Sequence, residues 1–352
     1  MKDKHIRIAE DSNFQQLVYR EIENCLQIDT VKTSRLLILK FIFYFLFLSV
    51  AYLLIYKINN PLLFIVNFII YGLVVVLFAF NFAHDFSHNT VFKSRKWNNL
   101  CFIFIYTLVG AHAEAWKYRH IHSHHYAPNV EDYDSDLKIS GLIRVIPGSK
   151  YRWYHKFQHW YAPALYTTYS LFWVFIKDIA LLFSKKEGPR PKTFLYHCSF
   201  WLQKIFYFTY ILALPLVYSG QKPIIVFLAF FIMHCCQSLF LLFTFFMTHH
   251  VEKTNYPLTD KNGYINCSWF INQVKSSNDF YPFSRFANFI FGGFNNHVAH
   301  HLFPHIHHVH YPELNKILYP LLLRNNITPN VTTWFGGVIS HLKLLRLMSK
   351  AR

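Results

Sequence analysis

At 352 residues, 53% hydrophobic and 20% aromatic with only 15% charged, the chain is too apolar for a soluble domain, where about 25% of residues are charged. Its formal charge of +17 comes with no basic stripe or reader motif, which argues against nucleic acid as a partner. Instead, 31 of the 35 Lys and Arg fall in three polar blocks, residues 1–35, 84–201 and 248–352, as cytosolic segments of a membrane protein do.

In chain order, the N-terminus MKDKHIRIAE is charged and has no apolar core, so no cleavable signal peptide is expected. A membrane-spanning helix needs roughly 20 apolar residues. Segments 36–57 and 62–83 meet that length and are joined by the turn KINNP; 201–219 and 223–247 repeat the pattern around SGQKP. Lys40 and Lys204, near segment ends, are expected to snorkel to the interface. Between the pairs, CFIFIYTLVGA (101–111) is short, and ALYTTYSLFWVFIKDIALLF (164–183) carries Lys177 and Asp178. Either one crossing alone would put the polar blocks on opposite faces, so both are expected to lie in or near the interface. KKEGPRPK (185–192) reads as a linker, and the six cysteines, with no CxxC pair, read as reduced thiols.

The expected fold is therefore an all-α integral membrane domain over 1–352 with four transmembrane helices as two hairpins, 36–83 and 201–247. The cytosolic parts are an N-terminal segment 1–35, a region 84–200 and a C-terminal region 248–352. Together these form a histidine-rich helical cap, with both termini and the active site on the cytosolic side.

The 22 histidines are not scattered. HDFSH holds His84 and His88; HIHSHH holds His120 and His124 with His125 beside them; HVAHH holds His297, His300 and His301. His249 ends the fourth apolar segment. On a helix, positions i, i+3 and i+4 share a face, so each cluster should present its imidazoles in one direction. Nine imidazoles on the cytosolic side exceed what one metal uses and suggest two. Imidazole suits zinc, copper, iron and nickel alike, so ligand type does not choose. Redox iron is preferred to zinc hydrolysis and to metal transport, which would want ligands along a path through the spans. Asp85 is a candidate outer partner of a ligating imidazole. His122 should point away from the face of His120 and His124, and His250 is the alternative to His249. His305, His307, His308 and His310 are expected at the surface, and His234 and Gln237, inside a span, as functional groups or an interhelical hydrogen bond.

The three clusters resemble the histidine boxes HxxxH, HxxxHH and H/QxxHH of the membrane fatty acid desaturases. The matching strings are HDFSH, WKYRHIHSHHYAPNVEDYDSDL (116–137) and FNNHVAHHLFPHIHHVHYPEL (294–314), and the resemblance runs from about residue 30 to the end. HKFQHWYAPALY, THHVEKTNYP and SHLKLLRL are similar to the linoleoyl-CoA desaturase branch, which includes front-end enzymes. The resemblance implies an O2-dependent acyl desaturase acting on an acyl-CoA or acyl-lipid, with two irons. It assigns the iron ligands to His84, His88, His120, His124, His125, His249, His297, His300 and His301, with no catalytic residue beyond them. It places Asn129, Asp134 and Asp136 around those ligands. A hydroxylase shares the arrangement and is the sister reading. His297 stands where front-end enzymes carry Gln, and Phe245 where acyl-CoA Δ9 desaturases carry a water-holding Asn. With no HPGG string and 35 residues ahead of the first span, a separate electron carrier of ferredoxin or cytochrome b5 type is expected. Arg95, Lys96, Arg152, Lys185 and Lys186 are candidates for steering that carrier or an anionic head group.

Overall fold

Asn60 and Pro61 show how the sequence starts a span. The Asn60 side chain accepts hydrogen bonds from Leu62 N (3.0 Å) and Leu63 N (3.1 Å), and Pro61 occupies the first helical position, where its missing N–H costs nothing. Thr193 caps the helix from Phe194 in the same way. A computed structural model describes residues 4–137, 141–184, 188–189 and 191–350. Four helices in it are long and apolar enough to cross a membrane: Thr30–Leu54, Pro61–Ser87, Phe194–Tyr218 and Pro223–His249. They match the expected segments, starting up to seven residues earlier. The chain divides into two compact units.

The membrane unit comprises Thr30–Tyr118 and Pro163–Leu242. Its first two helices are tied by Asn67 Nδ2, which donates to Ala51 O (2.8 Å). Helices approach closely at Gly72, where a Cβ would collide with Met233 Cγ. Gly110 closes a helix in the left-handed region (φ +85°), against the Tyr207 ring. The run 164–183 is not one straight helix, for the chain bends by 76° between Tyr166 and Tyr169. Lys204, expected to snorkel, is buried. Its Nζ donates to Asp178 Oδ2 (2.7 Å), Gly110 O (2.7 Å) and Val174 O (2.9 Å). Asp178 also accepts from His112 N (2.7 Å) and Trp173 Nε1 (3.0 Å), so both charges are satisfied internally. Lys40 is buried as well rather than snorkelling.

The histidine unit comprises Met1–Asp29, Arg119–Ala162 and Phe243–Arg352. Its polar-looking sequence folds around an apolar core. Val18 and Ile22 of the helix Ala9–Cys25 pack with Phe270 and Val274 of Trp269–Lys275, and with Leu314 and Leu318 of Tyr311–Arg324. Val298, Ala299 and Leu302 place the short helix His297–Leu302 inside that core. Among the described residues, one parallel strand pair, Asn278–Phe280 with Asn330–Thr332, accompanies the helices.

Candidate metal centre

The second histidine cluster departs from the expected α-helical face. His125 N donates to His120 O (3.0 Å), so His120–His124 forms a widened turn with i→i+5 closure, a feature that recurs at functional sites. The extra residue turns His125 back onto His120, with their Nε2 atoms 3.1 Å apart, and sends His124 elsewhere. His120, His125 and His300 form one group: His300 stacks nearly parallel to His120 at 5.8 Å, and His125 meets His300 edge-on at 4.5 Å.

His124, His249, His297 and His301 form the other, all buried, with one nitrogen of each within 4.8 Å of the rest. Three of these rings have their Nδ1 committed. His249 Nδ1 donates to Ser276 O (2.9 Å), His301 Nδ1 to Gln273 Oε1 (2.7 Å) and His124 Nδ1 to Asp134 Oδ2 (3.0 Å). A carbonyl or carboxylate oxygen can only accept, so each ring carries its proton on Nδ1 and a lone pair on Nε2. Yet His249 Nε2 lies 3.2 Å from His301 Nε2 and 2.7 Å from His297 Nε2, and the buried His124 Nε2 has no hydrogen-bond partner among the described residues. Lone pairs facing one another in a buried site repel, and a cation between them turns that repulsion into coordination. The donor set fits a first-row transition metal. A backbone or side-chain oxygen behind the ligating ring is the usual device for fixing its tautomer.

The electrostatics of His301 and His124 differ. Burial pushes His301 well below its usual pKa, and His125, His297, His124 and His249 push it further, so it is neutral. Burial also opposes a charge on His124, but the Asp134 carboxylate outweighs it and leaves this imidazole more basic than usual.

Around these rings, Asn129 sits in the left-handed region (φ +61°), which Asn tolerates better than most residues. From there its Nδ2 donates to His249 O (3.0 Å), Asn255 O (3.0 Å) and Ser276 O (3.3 Å), fastening the segment that ends in His249 to the oxygen behind its ring. Asp134 accepts from Asn129 N (3.0 Å) and Asp136 N (2.9 Å), and Asp136 pairs with Arg119. Two residues the sequence does not flag matter as much. Gln273 also donates to His125 O (3.3 Å), linking the second and third clusters, and its orientation is thereby set. Asp279, fully buried, accepts from Val298 N (2.9 Å) and Tyr319 Oη (2.7 Å) at the start of the helix bearing His297, His300 and His301. Burial pushes its carboxyl up to about 7. No local pattern marks either residue, because each reaches the histidines through tertiary packing.

His250 turns away from His249's group, its Nδ1 beside Tyr256 Oη (2.9 Å) while His341 Nδ1 donates to its carbonyl (2.7 Å). Burial lowers it to about 3. His122 and His305 are exposed as expected, whereas His307 and His308 are buried and His310 is half-buried. In the membrane unit, His84 and His88 end the helix Pro61–Ser87 with ring centres 5.1 Å apart, and Asp85 Oδ1 accepts from Thr90 Oγ1 (3.4 Å). Arg95, Lys96 and Arg152 are exposed; Lys185 and Lys186 lie outside the described residues.

Comparison with known proteins adds a family. The model of the family described as Fatty acid desaturase matches residues 59–333. The chain is 29% identical over 240 residues to an sn-1 linoleoyl-lipid 6-desaturase of Arthrospira platensis, covering 67% of this chain and 64% of that protein. It is 33% identical over 229 residues to an acyl-lipid (8-3)-desaturase of Physcomitrium patens, covering 63% and 47%. With a Delta(5) fatty acid desaturase A of Dictyostelium discoideum it shares 30% identity over 326 residues, 87% of this chain and 68% of the relative. The chain thus spans from about half to about two thirds of the length of these relatives.

Proposed function

The chain belongs to the fatty acid desaturase family, and from that premise we propose that it introduces a C=C double bond into a fatty acyl chain at a His-ligated di-iron centre. The observation that carries the reading is the set of buried imidazoles whose Nδ1 protons are committed and whose Nε2 lone pairs face one another. His124, His249, His297 and His301 would hold one iron. The family pattern adds His84 and His88 to His120, His125 and His300 for the other. Bound there, iron supplies the O2 chemistry that removes hydrogen from an unactivated methylene pair, which no side chain can do. The balance is two hydrogens from the acyl chain and two electrons with two protons from outside, reducing O2 to two waters.

The protein's own residues do the rest. Ser276 O, Gln273 and Asp134 orient their imidazoles. Asn129 and Asp279 fasten the segments that bear them. The core around Val298 and Leu302 keeps water from the rings. Electrons come from a carrier of ferredoxin or cytochrome b5 type. The relatives' names support a lipid-linked acyl chain as substrate over an acyl-CoA. The Lys and Arg placement supports a cytosolic centre. The test is expression in a host of simple lipid composition, with fatty acid methyl esters analysed by mass spectrometry and His124→Ala as control. A new unsaturated ester absent from the control supports the proposal; a hydroxylated ester would move the chain to the sister reaction, and neither product, with iron bound and donor supplied, would refute it.

A further inference from the structure

Between Asp136 and Asp178 the sequence holds six Lys and Arg and not one Asp or Glu. The middle of this stretch is the helical segment Trp153–Phe157 continuing into Gln158–Tyr166, of which the residues up to Ala162 belong to the histidine unit. One side is fastened to the protein. His155 Nε2 donates to Gly141 O (3.0 Å), and Gln158 Nε2 donates to Arg144 O (2.9 Å) and Leu345 O (2.8 Å), with Ala162 buried in the next turn. The other side presents Trp153, Phe157 and Trp160, spaced i, i+4, i+7, at 76%, 50% and 78% exposure. Lys150, Arg152 and Lys156 are exposed around them, with no ion pair among the described residues.

Two exposed tryptophans on one helical face cost solvation free energy in water and need an explanation. A protein core does not cover them, and the charges beside them are all of one sign. Tryptophan is enriched at the head-group level of bilayers, where its ring is half in apolar surroundings, and basic side chains there meet lipid phosphates. The chain then runs directly into Tyr169–Phe183, with Phe175, Ile176 and Phe183 exposed, an apolar helix of the membrane unit.

We propose that Lys150–Tyr166 is an interfacial anchor. Its Trp153–Phe157–Trp160 face lies in the head-group region of the bilayer, and Lys150, Arg152 and Lys156 bind anionic lipid head groups. The histidine unit is thereby tied to the membrane surface by its own contact as well as through the chain. The inference does not depend on the reaction catalysed.

The experiment uses the full chain in lipid nanodiscs, either zwitterionic or containing anionic phosphatidylglycerol. Emission of Trp153 and Trp160 is taken as wild type minus the double variant Trp153→Phe/Trp160→Phe, conservative changes at exposed positions. The expected result is a blue-shifted difference spectrum quenched by brominated lipid and shielded from iodide. Emission quenched by iodide and indifferent to brominated lipid overturns the proposal and makes the face a surface for a soluble protein partner. In anionic discs the lipid quenching should rise, and Lys150→Glu/Arg152→Glu/Lys156→Glu should abolish that rise. Equal quenching in both disc types would overturn the anionic part.

Discussion

Two buried histidine environments in this molecule differ in one respect that decides their roles. In the membrane unit, His234 has both ring nitrogens partnered: Nδ1 beside Ser170 Oγ (2.8 Å) and Gln237 Nε2 (2.8 Å), Nε2 beside Tyr207 Oη (2.7 Å). In the histidine unit, His249, His301 and His124 spend Nδ1 on an oxygen and aim Nε2 at one another. Burial is the same, at or below 1% exposure for all four rings. What distinguishes a candidate ligand from a hydrogen-bonding core residue is therefore the direction of its remaining lone pair. The His234 network locks helices together, and the other arrangement could hold a metal ion.

That contrast can be broken by substitution. The largest effect is expected for His124→Ala or His301→Ala, which should lower product by more than about 100-fold and deplete bound metal while the protein still inserts in the membrane. Gln273→Leu removes the oxygen behind His301 and should cost about 10–100-fold in metal affinity or activity; wild-type iron retention in a chelator titration would show that this hydrogen bond orients nothing. His234→Phe leaves Tyr207 with a buried, unpaired hydroxyl, takes one partner from Ser170, and should lower stability by about 1–3 kcal/mol, read as a reduced unfolding temperature in detergent. Its iron content should stay at the wild-type level, and a loss there would erase the distinction between the two environments. Smallest of all, the exposed His122→Ala should stay within about 0.5 kcal/mol of wild type and make product normally.

The spans and the histidine clusters were legible in the sequence because each is a local pattern: an apolar run of sufficient length, and imidazoles at short spacing. Legibility ended where the chain left ideal geometry or where partners came from afar. The widened turn at His120–His124 adds a residue that α-helical spacing does not anticipate, so two histidines expected on one face part into different groups. The adjacent His300 and His301 diverge likewise. On an isolated helix Lys204 would snorkel, but Asp178, 26 positions away, supplies a buried partner that hydropathy does not reveal. Gln273, Ser276 and Asp279 lie where no periodicity runs, and only the folded core brings the first two behind the rings and Asp279 to the start of the helix that bears three of them. The region after His249 reads as a polar block, yet its apolar residues, Phe270, Val274, Leu314 and Leu318 among them, close a core with the helix Ala9–Cys25.

The most direct test of the central claim is the iron content per chain of purified protein, wild type beside His124→Ala, His301→Ala and His234→Phe, by mass spectrometry of the metal. Iron at two per chain in wild type and His234→Phe, falling sharply in both ligand variants, is the predicted result. Iron retained in full by His124→Ala and His301→Ala, or zinc filling the wild-type site under iron-replete growth, would contradict it.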